Sequence, residues 1–284
     1  MAVFTNRATL TYNGKSASSN LVTGEIVGAL TVSKTALSES YSANDTLTYI
    51  VTLVNTGTAD MTGITLTDDL GAYDFNTLTL VPTDYIEGTV KYYVNGVLQP
   101  APSVTAGDTL MISGITVPAG GDATVAYSVQ TNSYAPMGEG ASIVNTVSAA
   151  SAKTTGDLTA SETVTPTAGP ELEITKSVCP ATVAENGELA YTFVIANYGA
   201  EEAAADANVI LSDTFDPALT GITVTYNGTP LVPTTDYTYS ESTGELATLP
   251  GVITVPAASF TQDPTTGEWT TEPGTVTIVV KGTV

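Results

Sequence analysis

The chain has 284 residues, 42% of them apolar, enough to bury the core of one large or two ordinary domains. Its net charge of −22, from 29 acidic against 7 basic residues, argues against a nucleic-acid partner, which needs a basic stripe, and against anionic membrane surfaces. With no histidine and a single cysteine, the commonest general base, the Ser-His-Asp triad, most zinc chemistry and any disulfide within one chain are excluded.

In chain order, the opening MAVFTNRATL lacks the basic and apolar regions of a secretory signal, so the export route stays open. Residues 4–22 read as a hairpin whose first strand alternates, with Phe4, Ala8, Leu10 and Tyr12 on one face and Thr5, Arg7, Thr9 and Thr11 on the other. From Gly28 onward, short strands recur about every ten residues between Gly, Pro, Asn and Asp signals, the spacing of a β-sandwich. Val, Ile, Leu and Ala interleave with Thr, Ser and Tyr, which favours pleated strands. The nearest helix candidate, Ala200 to Ala207, is short and reads as a loop. Cys179, beside Pro180 near a strand end, reads as a packed thiol. No stretch reaches membrane-spanning length, no Gly-rich loop opens a helix, and no D-x-D-x-D-G calcium loop is complete. The expectation is no enzyme, no cofactor, no metal and no membrane insertion, with the acidity serving as a solubilising surface.

Two long stretches repeat. GALTVSKTALSESYSANDTLTYIVTLVNTGTADMTGITLTDDL, from Gly28, aligns with PELEITKSVCPATVAENGELAYTFVIANYGAEEAAADANVILSDTF, from Pro170. Lys34 meets Lys176, Asn55-Thr56-Gly57 meets Asn197-Tyr198-Gly199, and Asp68 meets Asp213. Further on, GITVPAG from Gly114 matches GVITVPA from Gly251, and TVAYSVQ from Thr124 matches TVTIVVK from Thr275. A third match joins the ends: FTNRATLTYNGKSASSNLV, from Phe4, aligns with IVNTVSAASAKTTGDLTASETV, from Ile143, and sets Asn6 opposite Asn145. In mid-chain that block is a closing hairpin, followed by the linker PTAGPE; at the N-terminus it has no domain before it, and nothing after Thr275–Val284 corresponds to residues 132–168.

The fold expected is therefore all-β, with two tandem immunoglobulin-like β-sandwich domains. Residues 1–27 form a donor hairpin, 28–168 the first domain and 169–284 an incomplete second domain, completed in trans by the hairpin of another subunit. An added strand satisfies exposed backbone edges and fills an open groove at once. Only about six residues separate the hairpin from the first domain, a reach of roughly 20 Å, so donation to another copy is favoured over closure within the chain. Such a contact is heterologous and gives a ring or a filament; the filament is the reading preferred.

The patterns L-x-V-S-K-T, V-x-L-V-N-T-G-T-A-D, I-T-L-T-D and N-x-A-T-L-T-Y-x(6)-S-N resemble a repeat domain of bacterial and archaeal surface proteins known as domain of unknown function eleven. The second domain departs from it between Ala257 and Pro273, where an extra loop carries the only Trp, Trp269. The resemblance implies a cell-surface or appendage location and an immunoglobulin-like sandwich, and no particular ligand.

Strand parity sets Lys34 on one face with Leu30 and Val32, Asp68 with Ile64, Leu66 and Leu70, and Asn145 with Ile143 and Val147. In the second domain Lys176 accompanies Leu172 and Ile174, and Asp213 accompanies Val209, Leu211 and Phe215, while Asn6 points inward with Phe4 and Ala8. A buried Lys loses its charge easily and becomes a nucleophile, and a protonated Asp can polarise an Asn amide as ammonia leaves. The product would be a Lys–Asn isopeptide bond, Lys34–Asn145 within a subunit beside Asp68, and Lys176–Asn6 between subunits beside Asp213. This looks like the self-crosslinking adhesin domains of bacterial pili. The alternative is a buried Lys–Asp ion pair hydrogen-bonded to the Asn without chemistry. A second functional class is a surface-displayed adhesin or glycan-binding module, with Trp269 and Tyr92, Tyr93, Tyr226, Tyr237 and Tyr239 as the stacking candidates. Partners are then further copies of the chain or an unspecified host or surface glycan.

Overall fold

A computed structural model describes residues 2–26, 30–138, 140–151 and 158–284. The domain boundary expected between residues 27 and 28 lies outside the described residues, as do residues 152–157 of the closing block. The alternation of β-branched or aromatic residues with small polar ones fits the two-residue period of a pleat, so nearly every regular element is a strand. One 3-10 turn, Ala205–Ala207, sits inside the stretch read as a loop. The chain divides into two compact units, Met1–Ala135 with Ser142–Thr165 and Pro136–Ala141 with Pro166–Val284. Each unit holds an immunoglobulin-like sandwich of antiparallel sheets. Among the described residues, no helix is long and apolar enough to cross a membrane.

In the first unit, one sheet orders the strands Val97–Leu98, Lys91–Val94, Asp122–Thr131, Thr46–Asn55 and Leu30–Ala36, with Thr83–Tyr85 also on Asp122–Thr131. The other orders Ser103–Ala106, Leu110–Val117, Met61–Asp68, Ile143–Ala150, Leu158–Pro166 and Ser40–Tyr41. Strand Thr46–Asn55 buries Leu47, Tyr49, Val51 and Leu53, and Asp122–Thr131 buries Ala123, Val125, Tyr127 and Val129, on alternate positions. The facing sheet supplies Ile64, Leu66, Leu110, Ile112, Ile143, Val147 and Ala149. Strand Ile143–Ala150 lies between Met61–Asp68 and Leu158–Pro166, so the closing hairpin is part of the core and not an appendage to it.

In the second unit, one sheet orders Leu172–Cys179, Glu188–Asn197, Gly274–Thr283, Thr220–Tyr226 and Thr229–Pro230. The facing sheet has, among the described residues, three strands, Ser212–Thr214, Glu245–Thr248 and Tyr237–Tyr239. Phe193, Ile195, Leu211, Phe215, Val224, Leu246, Val276, Ile278 and Val280 form its core. The residues from 257 to 273, expected as a loop, form a small hairpin of Ser259–Gln262 with Trp269–Glu272.

The repeat extends to one buried polar side chain. Asn55 donates from Nδ2 to the carbonyls of Ala59, Val117 and Pro118, and accepts from the Gly57 amide. Asn197 donates to Glu201, Val255 and Pro256 and accepts from the amides of Gly199 and Glu171. Backbone groups at this sheet end have no ladder partner, and one amide side chain satisfies several of them, which explains the shared Asn-x-Gly.

Residues 2–26 join neither sheet of the first unit. They form two short ribbons, Ala2–Asn6 with Val22–Ile26 and Thr9–Tyr12 with Lys15–Ser18, the latter turning at Asn13-Gly14 with both residues at positive φ. The segment expected as one donor strand is thus interrupted: the ladder breaks at Arg7 and Ala8, where Ser19 inserts, its hydroxyl accepting from the Ala8 amide and its own amide donating to the Ala8 carbonyl. Phe4, Leu10, Tyr12, Leu21 and Val22 are all exposed.

Candidate functional site

The site in the first unit begins with Leu30–Ala36, an edge strand that buries Leu30 and Lys34 by alternation. Lys34 Nζ, with its side chain fully buried, donates to Asp68 Oδ2 at 2.5 Å and lies 4.6 Å from the centre of the Tyr49 ring and 5.9 Å from that of Tyr127. Asp68 is held from two further sides. Tyr127 Oη donates to Oδ2 at 2.5 Å, and the Leu70 amide donates to Oδ1 at 3.0 Å. Leu70 stands at φ 56°, a left-handed conformation that turns its N–H back toward the carboxylate. Burial pushes the Lys34 ammonium below the usual lysine range, and the Asp68 carboxylate opposes that shift.

Asn145 comes from the closing strand. It is fully buried, and neither Nδ2 nor Oδ1 has a hydrogen-bond partner. Tyr49 Oη is likewise buried and unpartnered. Beside it, Thr146 is latched by two bonds: its amide donates to Asp69 Oδ1 at 2.8 Å, and its carbonyl accepts from the Asp69 amide at 3.0 Å. A primary amide with every polar atom orphaned in a core costs several kcal/mol, since each unmade bond forfeits about 1–3 kcal/mol. The first unit therefore buries an amine whose charged form burial disfavours, a carboxylate paired with it, and, on the closing strand, an amide with no hydrogen-bond partner. That set can do acyl transfer from the asparagine to the lysine.

In the second unit Lys176 also pairs with Asp213 Oδ2, and its Nζ lies 4.6 Å from the centre of the Tyr191 ring and 5.3 Å from those of Phe193 and Phe215. Here the Lys176 side chain is 40% exposed, and the whole strand Leu172–Cys179 is exposed, including Leu172 and Ile174, which parity assigned to a buried face. Strand Ser212–Thr214 pairs with Glu245–Thr248 on one edge and with no strand on the other, among the described residues. Its counterpart Met61–Asp68 is paired on both edges. A groove of about 290 Å³ runs there, lined by Leu172, Ile174, Ile195, Val209, Ile210 and Leu211.

Other residues singled out in the sequence fall elsewhere. Asn6 is exposed on the ribbon, opposite Val22. Cys179 is exposed at the end of the uncovered strand, so it is not a packed thiol. Tyr92 and Tyr237 are buried, Tyr92 Oη bridges the backbone of Thr116, Tyr226 Oη donates to the Thr254 carbonyl, and Tyr239 Oη bonds the backbone of Leu219. Burial removes Tyr92 and Tyr237 from a glycan surface; Tyr226 and Tyr239, like Tyr93 and Trp269, are half-buried. Among the described residues, no cluster of three or more Cys, Asp or Glu is arranged for a metal ion. Parity reasoning passed over Tyr49, Tyr127 and Tyr191. Tyr49 and Tyr191 occupy equal places in the repeat, opposite Ala36 and Val178, a signal the alignment already carried. Tyr127 has Val280 as its counterpart, two residues beyond the Ile278 that the sequence match set against it, and leaves no such trace.

No family model matches the chain, and no curated protein matches it. Among solved structures, the pilus backbone protein RrgB of Streptococcus pneumoniae is 14% identical, with 86% of this chain and 55% of that one covered and a TM-score of 0.36. The major pilin subunit BcpA of Bacillus cereus is 13% identical over 96% and 73%, with a TM-score of 0.35. The collagen-binding domain of a Staphylococcus aureus adhesin is 12% identical over 49% and 99%, with a TM-score of 0.31. The aligned region spans little more than half of the RrgB chain. Likenesses of this degree carry no argument about function, which rests on the geometry above.

Proposed function

We propose that this protein is the structural subunit of an extracellular, cell-surface filament, assembled head to tail as residues 1–26 of one copy complete the second unit of the next. The observation that carries the reading is the mismatch between units: a sheet edge covered by Ile143–Ala150 in the first is, among the described residues, bare at Ser212–Thr214 in the second, while a ribbon of matching sequence exposes Phe4, Leu10 and Tyr12. The first unit supplies a register. Val147 faces Asp68 and Ala149 faces Leu66; carried across the repeat, Ala8 faces Asp213 and Leu10 faces Leu211. Phe4 then takes the place of Ile143, and Gly24 that of its cross-strand partner Val164, a large-for-medium exchange offset by a medium-for-none one. Covering Leu172, Ile174, Phe4 and Leu10 stabilises by about 1.5–3 kcal/mol for each large side chain, before the cost of association.

In the same reading the lysines are crosslinked. A proton passes from Lys34 Nζ to Asp68, the freed amine attacks Asn145 Cγ, and a C–N bond forms while the carbonyl electrons move to Oδ1. Asp68 gives its proton to Nδ2 and takes one from Nζ, the Cγ–Nδ2 bond breaks, and ammonia leaves. The orphaned amide of Asn145 supports this over a plain ion pair, because a pair hydrogen-bonded to the asparagine would leave it satisfied. Lys176, Asp213 and an incoming Asn6 repeat the step between copies. The surface-repeat resemblance agrees with this location.

Deleting residues 1–23 tests the assembly: fibres visible by negative stain should vanish while the first unit melts unchanged, and undiminished polymerisation would sink the proposal. Mixing full-length Asn6→Ala with full-length Lys176→Ala should give a covalent heterodimer on a denaturing gel. Closure within one chain would give monomers only. Intact mass should show one ammonia lost for each bond, the internal one abolished by Lys34→Ala.

A further inference from the structure

Attack on an amide puts negative charge on its oxygen, and in a dry core that charge needs a donor placed beforehand. In the first unit, Lys34 and Asp68 are occupied with each other, Tyr127 and the Leu70 amide are spent on the carboxylate, and Asn145 Oδ1 accepts from none of them. One donor is left over. Tyr49 Oη is fully buried, bonds to nothing, and belongs to the ring over which Lys34 Nζ sits at 4.6 Å. The amide of Asn145 is close enough to act on it, drawing the phenol's acidity up against the larger opposite push of burial, so Tyr49 stays a protonated donor through the ordinary pH range.

We infer that the Tyr49 hydroxyl is the donor that stabilises the oxyanion on Asn145 Oδ1, and that Tyr191 serves the incoming Asn6 in the same way. The inference rests on the crosslink reading above. An unbonded buried hydroxyl is costly in the resting fold, and it is made good only when charge develops on the neighbouring oxygen. The repeat supports the assignment independently. A tyrosine stands at this register position in both units, with Tyr191 ring and Lys176 Nζ at the same 4.6 Å. The other buried phenol of the first site, Tyr127, is replaced by Val280 in the second. The chemistry common to both units therefore keeps the phenol over the lysine and dispenses with the one on the carboxylate.

The test follows bond formation in time. Full-length protein made in a short cell-free pulse is quenched in acid denaturant at intervals, and intact mass reports the ammonia lost by the Lys34–Asn145 step. Tyr49→Phe removes one oxygen that bonds to nothing, so a purely structural role predicts an unchanged or better-folded protein and an unchanged rate. The inference expects a rate lower by about 10²–10³-fold, the usual effect of losing one oxyanion donor. A 3-fluorotyrosine at position 49, a stronger donor of the same shape, should instead react at least as fast as the parent, and covers the case in which Tyr49→Phe folds poorly. If the parent chain loses no ammonia, the crosslink reading fails; if the parent reacts and Tyr49→Phe keeps pace, only the role of Tyr49 falls. In the mixing assay, Tyr191→Phe placed in the Asn6→Ala partner should slow heterodimer formation by a similar factor, and an equal rate would confine the role to the first unit.

Discussion

The strands Leu30–Ala36 and Leu172–Cys179 carry the same motif, pair with the same neighbour in the same register, and bring a lysine to an aspartate in each unit. Yet Leu30 is 3% exposed and Leu172 38%, and the Lys34 side chain is sealed where that of Lys176 is open. The difference does not arise in either strand. It arises across the sandwich, where Ile143–Ala150 and Leu158–Pro166 extend one sheet and, among the described residues, have no counterpart beside Ser212–Thr214. An edge strand is sealed by what covers its inner face, so one sequence pattern gives a buried lysine in one unit and an open groove in the other.

The comparison breaks most visibly if the groove is filled. A chain lacking residues 1–23 should show two thermal transitions, and adding a peptide of residues 1–26 should raise the lower by at least about 10 °C, several kcal/mol for a domain of this size. A peptide with Phe4 and Leu10 both changed to Ser should leave that transition where it was. Removing the carboxylate comes next. With the bond blocked by Asn145→Ala, Asp68→Asn removes the buried partner of Lys34 and should cost the first unit about 3–5 kcal/mol in chemical denaturation. Asp213→Asn in the unassembled subunit breaks a pair with a solvated lysine and should cost under about 1 kcal/mol; equal losses would mean the second site is already covered in the free chain. The shared Asn sharpens the contrast from the other side. Asn55→Ala and Asn197→Ala each abandon several backbone carbonyls at a fully formed sheet end, so both should destabilise their units by about 2–3 kcal/mol, without the asymmetry of the aspartates.

The smallest effect is a pH dependence. In Asn145→Ala the bond is blocked and Lys34 stays an amine with its pKa below the lysine range. The unfolded chain then binds the proton more tightly than the folded one, so stability should rise with pH between the folded value and the ordinary lysine value. The rise is up to about 1.4 kcal/mol per pH unit in that window and absent on its acid side. A variant that also carries Lys34→Met and Asp68→Leu should show no such rise in urea unfolding compared at pH 7 and pH 9.5.

Much of this was legible in the residues. Period-two alternation sets Lys34, Asp68 and Asn145 on inward faces, and the structure buries all three. The repeat pairs Lys34 with Lys176 and Asn55 with Asn197, and both pairs take equivalent places. Other features were not. The Leu70 amide reaches Asp68 through a left-handed turn that no residue type there requires. Tyr127 meets Asp68 across the sandwich, 59 positions away in the chain. The interruption at Arg7 and Ala8 comes from Ser19 closing on the backbone, which alternation along one strand does not reveal. Exposure at Leu172 and Ile174 contradicts local parity, because parity says which face a side chain takes and not whether anything covers that face.

The sequence by itself therefore determined the strand content, the faces of the strands and the doubling of the lysine motif, since each follows from local spacing and repetition. Which copy of the motif is sealed, which donors converge on its carboxylate, and where an edge stands open were decided by the tertiary structure. Those depend on hydrogen bonds and contacts between segments far apart in the chain, and they exist only when the neighbouring strand is in place.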